Sequence, residues 1–259
     1  IPAWQCMVTG KDPGTLGMYG FRNRKDYSYD SFMFADGKMV REPRVWDVLS
    51  RAGLNNIVLG VPQTWPPKPL KGCMVSGFPL PDTEGTWTYP ATLKNEIAEV
   101  CDYIPDVEDF RSDRKEEVLQ NLIDMAHRRF ELAAHLLKTR PWDFFMMVEM
   151  GTDRIVHLLW RYTDETHRHY QANHSLNNAM RDYYALCDKL MGELIAPYEN
   201  DPEVAIAVVS DHGARGMDGG IRINDWLIRE GYLTLKERPS EPTGMGKLIK
   251  RGLVDWSKT

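Results

Sequence analysis

The segment DFFMMVEMGTDRIVHLLW (residues 143–160) passes from a strand pattern directly into a helix pattern. Residues 143–150 are apolar on both faces, which is typical of a central strand in a parallel sheet covered by helices. From Asp153 onward, the apolar residues recur at helical spacing. The same order, an apolar run followed by a polar turn, returns in EVAIAVVSDHG (203–213). Both segments therefore predict an α/β protein whose central strands include 143–150 and 203–210.

Other segments continue this alternation along the chain. The predicted strands are 55–62 and 72–78, the predicted helices are 2–9, 44–53, 113–140 and one from Ser175, and 223–235 predicts a helix followed by an edge strand. Asp113 and Glu116 predict a capping box at the start of the helix over 113–140. We expect a single domain over 1–259, in which the Pro- and aromatic-rich stretch 62–90 forms one wall of a cleft.

Composition excludes several classes of protein. The chain has 259 residues and a net charge of −5, so its total charge does not indicate binding to a nucleic acid polymer. The longest apolar runs fall short of the roughly 20 residues that span a bilayer. The four cysteines form no CxxC pair, and we interpret them as reduced. These features are typical of a cytoplasmic protein, whereas the oligomeric state is left open.

Two pairs of an acid and a histidine follow the two most apolar runs. Asp153 and His157 are four residues apart at the start of a predicted helix, so their side chains share one face. Asp211 and His212 follow the second run directly, before Gly213. Carboxylate and imidazole groups that converge at the carboxyl ends of parallel strands suit zinc or manganese.

Each pair also has a simpler interpretation. Asp153 is a possible helix cap with His157 packed beside Trp160, and Asp211 with His212 is a possible charged turn that closes a strand. The occurrence of two such pairs, each after an apolar strand, favours the metal interpretation.

Together these motifs resemble a known family. VVSDHG (208–213) and GTDRIVHLLW (151–160) resemble the type I phosphodiesterase/nucleotide pyrophosphatase group of the alkaline phosphatase superfamily. PAWQCMVTGKDPGTLGMYGF (2–21) is similar to the segment that follows the nucleophile in that family, and INDWLIREGYL (223–233) resembles the helix after the Asp-His-Gly loop. The resemblance implies an alkaline phosphatase-like fold: a doubly wound, mostly parallel sheet with helices on both faces.

The resemblance also implies a site for two divalent metal ions, zinc in the first place, with manganese or iron as alternatives. Asp153 and His157 match two ligands of one ion, and Asp211 and His212 match two ligands of the other. The nucleophile, a Thr or Ser, is expected immediately before Ile1, so no catalytic residue is assigned within 1–259. One further ligand, an Asp, is expected upstream of Ile1, and another, a His, beyond Thr259.

Arg22 and Asn23 lie shortly after the first helix, where the family has a polar group that contacts phosphate, so they are predicted to bind substrate. A solvated basic turn is the alternative. The activity implied is metal-dependent hydrolysis of a small phosphate ester or nucleotide through a phosphorylated Thr or Ser. A phosphomutase acting on a sugar phosphate, or a binding protein of the same fold without catalysis, remains an alternative.

Overall fold

The structure is a computed structural model that describes residues 2–28, 31–80, 83–108, 112–241 and 243–259. The strands are β1 Arg22–Arg24, β2 Phe32–Phe34, β3 Asn56–Leu59, β4 Gly72–Val75, β5 Thr88–Tyr89 and β6 Phe144–Met147. The helices are α1 Pro2–Thr9, α2 Pro13–Leu16, α3 Val45–Arg51, α4 Leu93–Val100, α5 Lys115–Thr139, α6 Gly151–Thr163, α7 Ala179–Ile195, α8 Ile223–Arg229 and α9 Met245–Lys250.

The chain divides into two compact units. The first comprises Ile1–Phe21 and Ala35–Gly216, and the second comprises Arg22–Phe34 and Met217–Thr259. The expectation of a single domain over 1–259 stays a prediction. The stretch 62–90, predicted as a cleft wall, supplies β4 and β5 to the sheet of the first unit.

The first unit contains a mostly parallel sheet in the order β5-β4-β3-β6. Strand β3 pairs in parallel with both β4 and β6, and β5 pairs antiparallel with β4. Because β3 and β6 run in the same direction, the residues that follow Leu59 and Met147 leave the sheet at the same edge. The mixed α/β class and the mostly parallel sheet predicted from the sequence are confirmed.

Alternate residues of the central strand contribute to apolar clusters on opposite faces of the sheet. Ile57 and Leu59 pack into one cluster with residues of α4 and α5, whereas Val58 packs into another with Val8 of α1 and Trp46 of α3. This alternation is the two-residue period of a strand that is buried on both faces. Helices therefore cover both faces, as predicted, and the doubly wound connectivity stays a prediction.

Helix α1 is fastened to the residues that follow β3. The side-chain amide of Gln5, which is fully buried, donates to the carbonyl oxygen of Pro62 over 2.7 Å. The guanidinium of Arg44 donates to the other end of Gln5 over 3.1 Å and to the carbonyl of Gln63 over 2.8 Å. Gly10, with φ of 67°, ends the helix in the left-handed conformation that glycine adopts without strain. Helix α1 thus lies at the edge of the sheet where β3 and β6 end.

The prediction that residues 203–210 form a central buried strand is wrong. The segment belongs to no strand among the residues that the structure describes, and the side chains of Ile206, Val208 and Val209 are 45%, 71% and 56% exposed. Strand β6, the other strand predicted to be central, is at the edge of the sheet in the described ranges and is only half-buried. An apolar pattern predicts burial, but a strand also needs a neighbour for its backbone groups, which this segment lacks here.

Two predicted helix starts also require correction. Helix α5 begins at Lys115 with Arg114 at its N-cap and without a side-chain cap bond, so the predicted capping box is wrong. Asp113 instead accepts from the backbone N–H of Lys115 through its own carbonyl oxygen. Helix α7 begins at Ala179 rather than at Ser175.

The second unit contains the antiparallel pair β1-β2 and an apolar cluster around Leu233, Leu248 and Val254. Helix α8 confirms the helix predicted at the start of 223–235. The predicted edge strand is reduced to a single bridge between Leu235 and Val254.

Candidate metal centre

Helix α6 presents the first acid–histidine pair just beyond the end of β6. Asp153 lies in the first turn of the helix, and His157 lies one turn later. Nε2 of His157 is 3.6 Å from Oδ1 of Asp153, so the predicted spacing does bring both side chains to one face. The side chain of Asp153 is 25% exposed and that of His157 is 46% exposed, which leaves both accessible to a small ligand.

The second pair converges on the first. Nε2 of His212 lies 3.3 Å from Oδ2 of Asp211 and 3.9 Å from Oδ1 of Asp153. The other ring nitrogen, Nδ1, is 2.9 Å from the carbonyl oxygen of Gly213. A carbonyl oxygen can only accept, so we assign the ring proton of neutral His212 to Nδ1. The lone pair of Nε2 then points at carboxylate oxygens, an arrangement that a cation would stabilise.

The loop that carries His212 lies along α6. A methyl group added to Gly216 would be 2.8 Å from Nε1 of Trp160 and 3.2 Å from Oδ2 of Asp164, so only a residue without a side chain fits this approach. Trp160 and Asp164 are joined by a 2.9 Å hydrogen bond, which makes that part of α6 a firm surface. The loop therefore contacts α6 at two levels, Asp153 and Trp160.

The second oxygen of Asp153 is held by its neighbour Arg154. Nη1 of Arg154 donates to Oδ2 of Asp153 over 3.0 Å, and Nε donates to Oδ1 of Asp106 over 2.9 Å. The Arg154 side chain is 8% exposed and its guanidinium lies 5.0 Å from the centre of the Phe78 ring. Burial alone would lower the pKa of Arg154, but the hydrogen bond and charge of Asp106, with the charge of Asp153, raise it above its ordinary value.

A buried polar group fixes the start of α6. Oε1 of Glu149 accepts from the backbone N–H of Gly151 over 2.7 Å and from the hydroxyl of Tyr183 over 3.1 Å. Nε of the buried Arg129 lies 3.7 Å from the other carboxylate oxygen of Glu149. Burial, with the nearby charge of Glu149, raises the pKa of Tyr183. A methyl group on Gly151 would lie 1.8 Å from the Tyr183 hydroxyl, so glycine is required at this position.

Sequence reasoning missed these supporting residues, although the patterns contained a signal for two of them. Arg154 lies among the buried positions of α6 with Ile155 and Leu158, and Arg129 lies among the buried positions of α5. A charged residue on the apolar face of an amphipathic helix indicates a buried partner. The identity of the partner, for example Asp106, depends on tertiary structure.

The donor set fits a divalent metal ion in its chemistry. Two carboxylates and two imidazoles are the ligands that zinc, manganese and iron accept. Two donors on one tetrahedral zinc lie about 3.3 Å apart, given Zn–N and Zn–O lengths of about 2 Å. The contact between Asp211 and His212 matches this separation, and the other two contacts are longer. In the described part of the chain, no group of three or more His, Cys, Asp or Glu is already arranged to hold a metal ion.

Arg22 and Asn23 belong to the second unit, whereas the four acid and histidine residues belong to the first. Both residues lie in β1, where Arg22 is opposite Phe34 and Asn23 is opposite Met33. The guanidinium of Arg22 lies 5.2 Å from the centre of the Phe34 ring. Contact of either residue with a substrate stays a prediction.

A known protein family matches nearly the whole chain. The type I phosphodiesterase/nucleotide pyrophosphatase family matches residues 1–252. The chain belongs to this family. Membership supports an enzyme that hydrolyses phosphate esters, with small phosphate esters or nucleotides as substrates, and it agrees with the mixed α/β fold. Neither a curated protein nor a solved structure matches the chain.

The length and polarity of the helices bear on whether the chain could span a membrane. Within the described ranges, each helix is too short or too polar to cross a lipid bilayer.

Proposed function

We propose that this member of the family is a metal-dependent phosphodiesterase or nucleotide pyrophosphatase whose ions are held by Asp153, His157, Asp211 and His212. The observation that carries the proposal is the 3.9 Å approach of His212 Nε2 to Asp153 Oδ1, which joins the two pairs into one group. Neither pair alone favours a metal site over a helix cap or a charged turn. The approach of His212 to Asp153 supports treating the two pairs as parts of one proposed site with four donor side chains.

The four side chains provide two kinds of metal ligand. Asp153 and Asp211 supply negative charge, and His157 and His212 supply neutral nitrogen donors, so the group retains net negative charge that attracts cations. When bound, two divalent cations would offset the charge on the phosphate oxygens and stabilise an in-line displacement at phosphorus. The hydrogen bond from Nδ1 of His212 to the Gly213 carbonyl orients the imidazole and keeps Nε2 available.

The nucleophile in this proposal is a Thr or Ser hydroxyl immediately before Ile1, as the family resemblance implies. The hydroxyl loses its proton as the oxygen attacks phosphorus, and one ester oxygen of the diester takes up a proton and departs as the alcohol. Water then cleaves the bond between phosphorus and the Thr or Ser oxygen, which releases a phosphate monoester and restores the hydroxyl. The anchoring of Gln5 to Pro62 supports this assignment, since it holds α1 at the edge of the sheet where β6 also ends. The backbone N–H groups at the start of α1 would favour phosphate oxygens there.

A direct test uses protein that includes the expected Thr or Ser. Aryl phosphodiester and aryl phosphomonoester substrates are assayed after removal of metal by a chelator and after addition of Zn²⁺ or Mn²⁺. We expect turnover of the diester that returns with metal and falls at least a hundredfold in His157→Ala and in His212→Ala. His127→Ala is the matched control, because His127 is an exposed histidine of α5 outside the group.

The outcomes separate the alternatives. Transfer of the phosphoryl group to an added sugar alcohol in preference to water would support a phosphomutase instead. Binding of a nucleotide without turnover of either ester, in protein that binds metal, would support a binding protein. Metal-independent turnover that survives both histidine substitutions would overturn the assignment of the four residues.

A further inference from the structure

The two oxygens of Asp153 have different environments. Oδ1 faces Nε2 of His157 at 3.6 Å and Nε2 of His212 at 3.9 Å. Oδ2 accepts from Nη1 of Arg154 at 3.0 Å. One oxygen therefore faces the candidate metal ligands, while the other is engaged by a fixed positive group.

Arg154 is itself held on two sides. Its Nε and Nη2 donate to the two oxygens of Asp106, a paired geometry that defines both the position and the plane of the guanidinium. The Phe78 ring lies against that plane, 5.0 Å from the guanidinium carbon. With its side chain only 8% exposed, Arg154 has little freedom to follow Asp153 if that carboxylate turns.

We propose that Arg154 is a positioning residue that restricts Asp153 to binding a metal ion through Oδ1 alone. This inference rests on the proposed function, since it concerns the same four ligands. A free carboxylate can bind an ion through one oxygen or through both, and a guanidinium bonded to one oxygen leaves only the other available. Asp106 completes the arrangement, because its charge offsets that of Arg154, which would otherwise repel a cation nearby.

The arrangement has a chemical consequence for the site. A ligand that occupies a single coordination position leaves more positions for the phosphate group, whereas a ligand bound through both oxygens takes two. Arg154 would thus preserve open coordination at the ion that Asp153 and His157 hold.

The test measures metal binding without substrate. Affinity for Mn²⁺ and Zn²⁺ is determined by competition with a chelating dye for the unmodified protein, Arg154→Met, Arg154→Lys and Asp106→Asn. We expect about a ten- to hundredfold loss of affinity in both Arg154 variants, since neither Met nor Lys reproduces the paired geometry. A smaller loss is expected in Asp106→Asn. Arg128→Met is the matched control, because Arg128 pairs with the exposed Asp102 3.6 Å away.

A spectroscopic measurement separates positioning from a change in charge. The visible absorption of bound Co²⁺ weakens as its coordination number rises, so we expect a weaker spectrum in Arg154→Met when Asp153 binds through both oxygens. Loss of charge alone would instead raise metal affinity in Arg154→Met and leave Arg154→Lys unchanged. That result, or affinities within twofold of the unmodified protein in both variants, would overturn the inference.

Failure of the proposed function would give a different pattern of metal affinities from failure of this inference alone. If the unmodified protein binds metal no better than His157→Ala does, the four-ligand site is wrong and this inference falls with it. If His157→Ala loses metal but the Arg154 variants keep it, only the inference fails. Circular dichroism checks each variant, and should Arg154→Met not fold, retention of full metal affinity in Asp106→Asn would overturn the inference.

Discussion

Nε2 of His212 lies 3.9 Å from Oδ1 of Asp153, although the two residues belong to different parts of the chain. His212 follows an apolar segment that pairs with no described strand, whereas Asp153 lies in the first turn of the helix after β6. Asp153 is thus within 4 Å of the histidines of both pairs, whereas Asp211 forms an ion pair with His212, its neighbour in the sequence.

We expect Asp153→Asn to have a larger effect on metal content than Asp211→Asn. Because Asp153 is shared, its replacement weakens both halves of the site, and the metal bound per chain falls from the proposed two ions to one or none. Elemental analysis after equilibration with Zn²⁺ measures this difference. Equal losses in the two variants would show that the two pairs bind independently.

Gly216→Ala is expected to displace the loop that carries His212. The new methyl group would meet Nε1 of Trp160 at 2.8 Å, and the hydrogen bond from Trp160 to Asp164 resists movement of the indole. Metal affinity and diester turnover should fall about tenfold, as for the loss of other groups that orient ligands. Gly220→Ala is the control, since its methyl group would have nothing within 4 Å. Equal metal affinity and turnover in Gly216→Ala and Gly220→Ala would contradict the close approach of Gly216 to Trp160.

Gly151→Ala is expected to destabilise the fold by about 1–3 kcal/mol, the usual cost of forcing extra atoms into a packed site. The methyl group would overlap the hydroxyl of Tyr183, which is 2% exposed and has little room to move. Gly192→Ala in α7 should instead stabilise by about 0.5–1 kcal/mol, because that position is open and helical. Urea unfolding of both variants decides the matter, and a neutral Gly151→Ala would count against the packing around Glu149.

Stability is expected to fall as pH rises above about 10, the ordinary pKa of tyrosine. Burial and the charge of Glu149 raise the pKa of Tyr183 in the folded chain, so the folded state keeps a proton that the unfolded state releases. More protons in the folded state mean that the free energy of unfolding decreases with pH, by up to about 1.4 kcal/mol per pH unit for one group.

Tyr183→Phe should flatten this alkaline decline, and Tyr27→Phe should not, because Tyr27 is 98% exposed. Urea unfolding between pH 9 and 11 measures both slopes. An unchanged slope in Tyr183→Phe would mean that other buried groups, such as Tyr103, cause the decline; burial also raises the pKa of Tyr103.

Local patterns predicted some of the elements around the site. Helical spacing placed Asp153 and His157 on one face, and the alternation of strand and helix patterns correctly indicated a mixed α/β protein with a mostly parallel sheet. These predictions succeed because they depend on neighbours in the sequence. Whether 203–210 pairs with another strand depends on distant parts of the chain, so its composition alone could not decide it.

The contacts that hold the site together were harder to predict from the sequence. The approach of His212 to Asp153 was expected because the predicted strands 143–150 and 203–210 were expected to end at one edge of the sheet. In the structure, the loop of His212 instead reaches α6 through the close approach of Gly216 to Trp160. Asp106 lies in a segment without regular structure, and nothing in its surroundings predicts that it binds Arg154.

The exposed apolar segment 203–210 also has a practical consequence for work with this protein. Ile206, Val208 and Val209 are β-branched residues open to solvent within one short segment, and this segment pairs with no strand among the residues that the structure describes. Such segments promote self-association and fibril formation in concentrated samples. Purification at low protein concentration, with light scattering at each step, is therefore advisable before any affinity is measured.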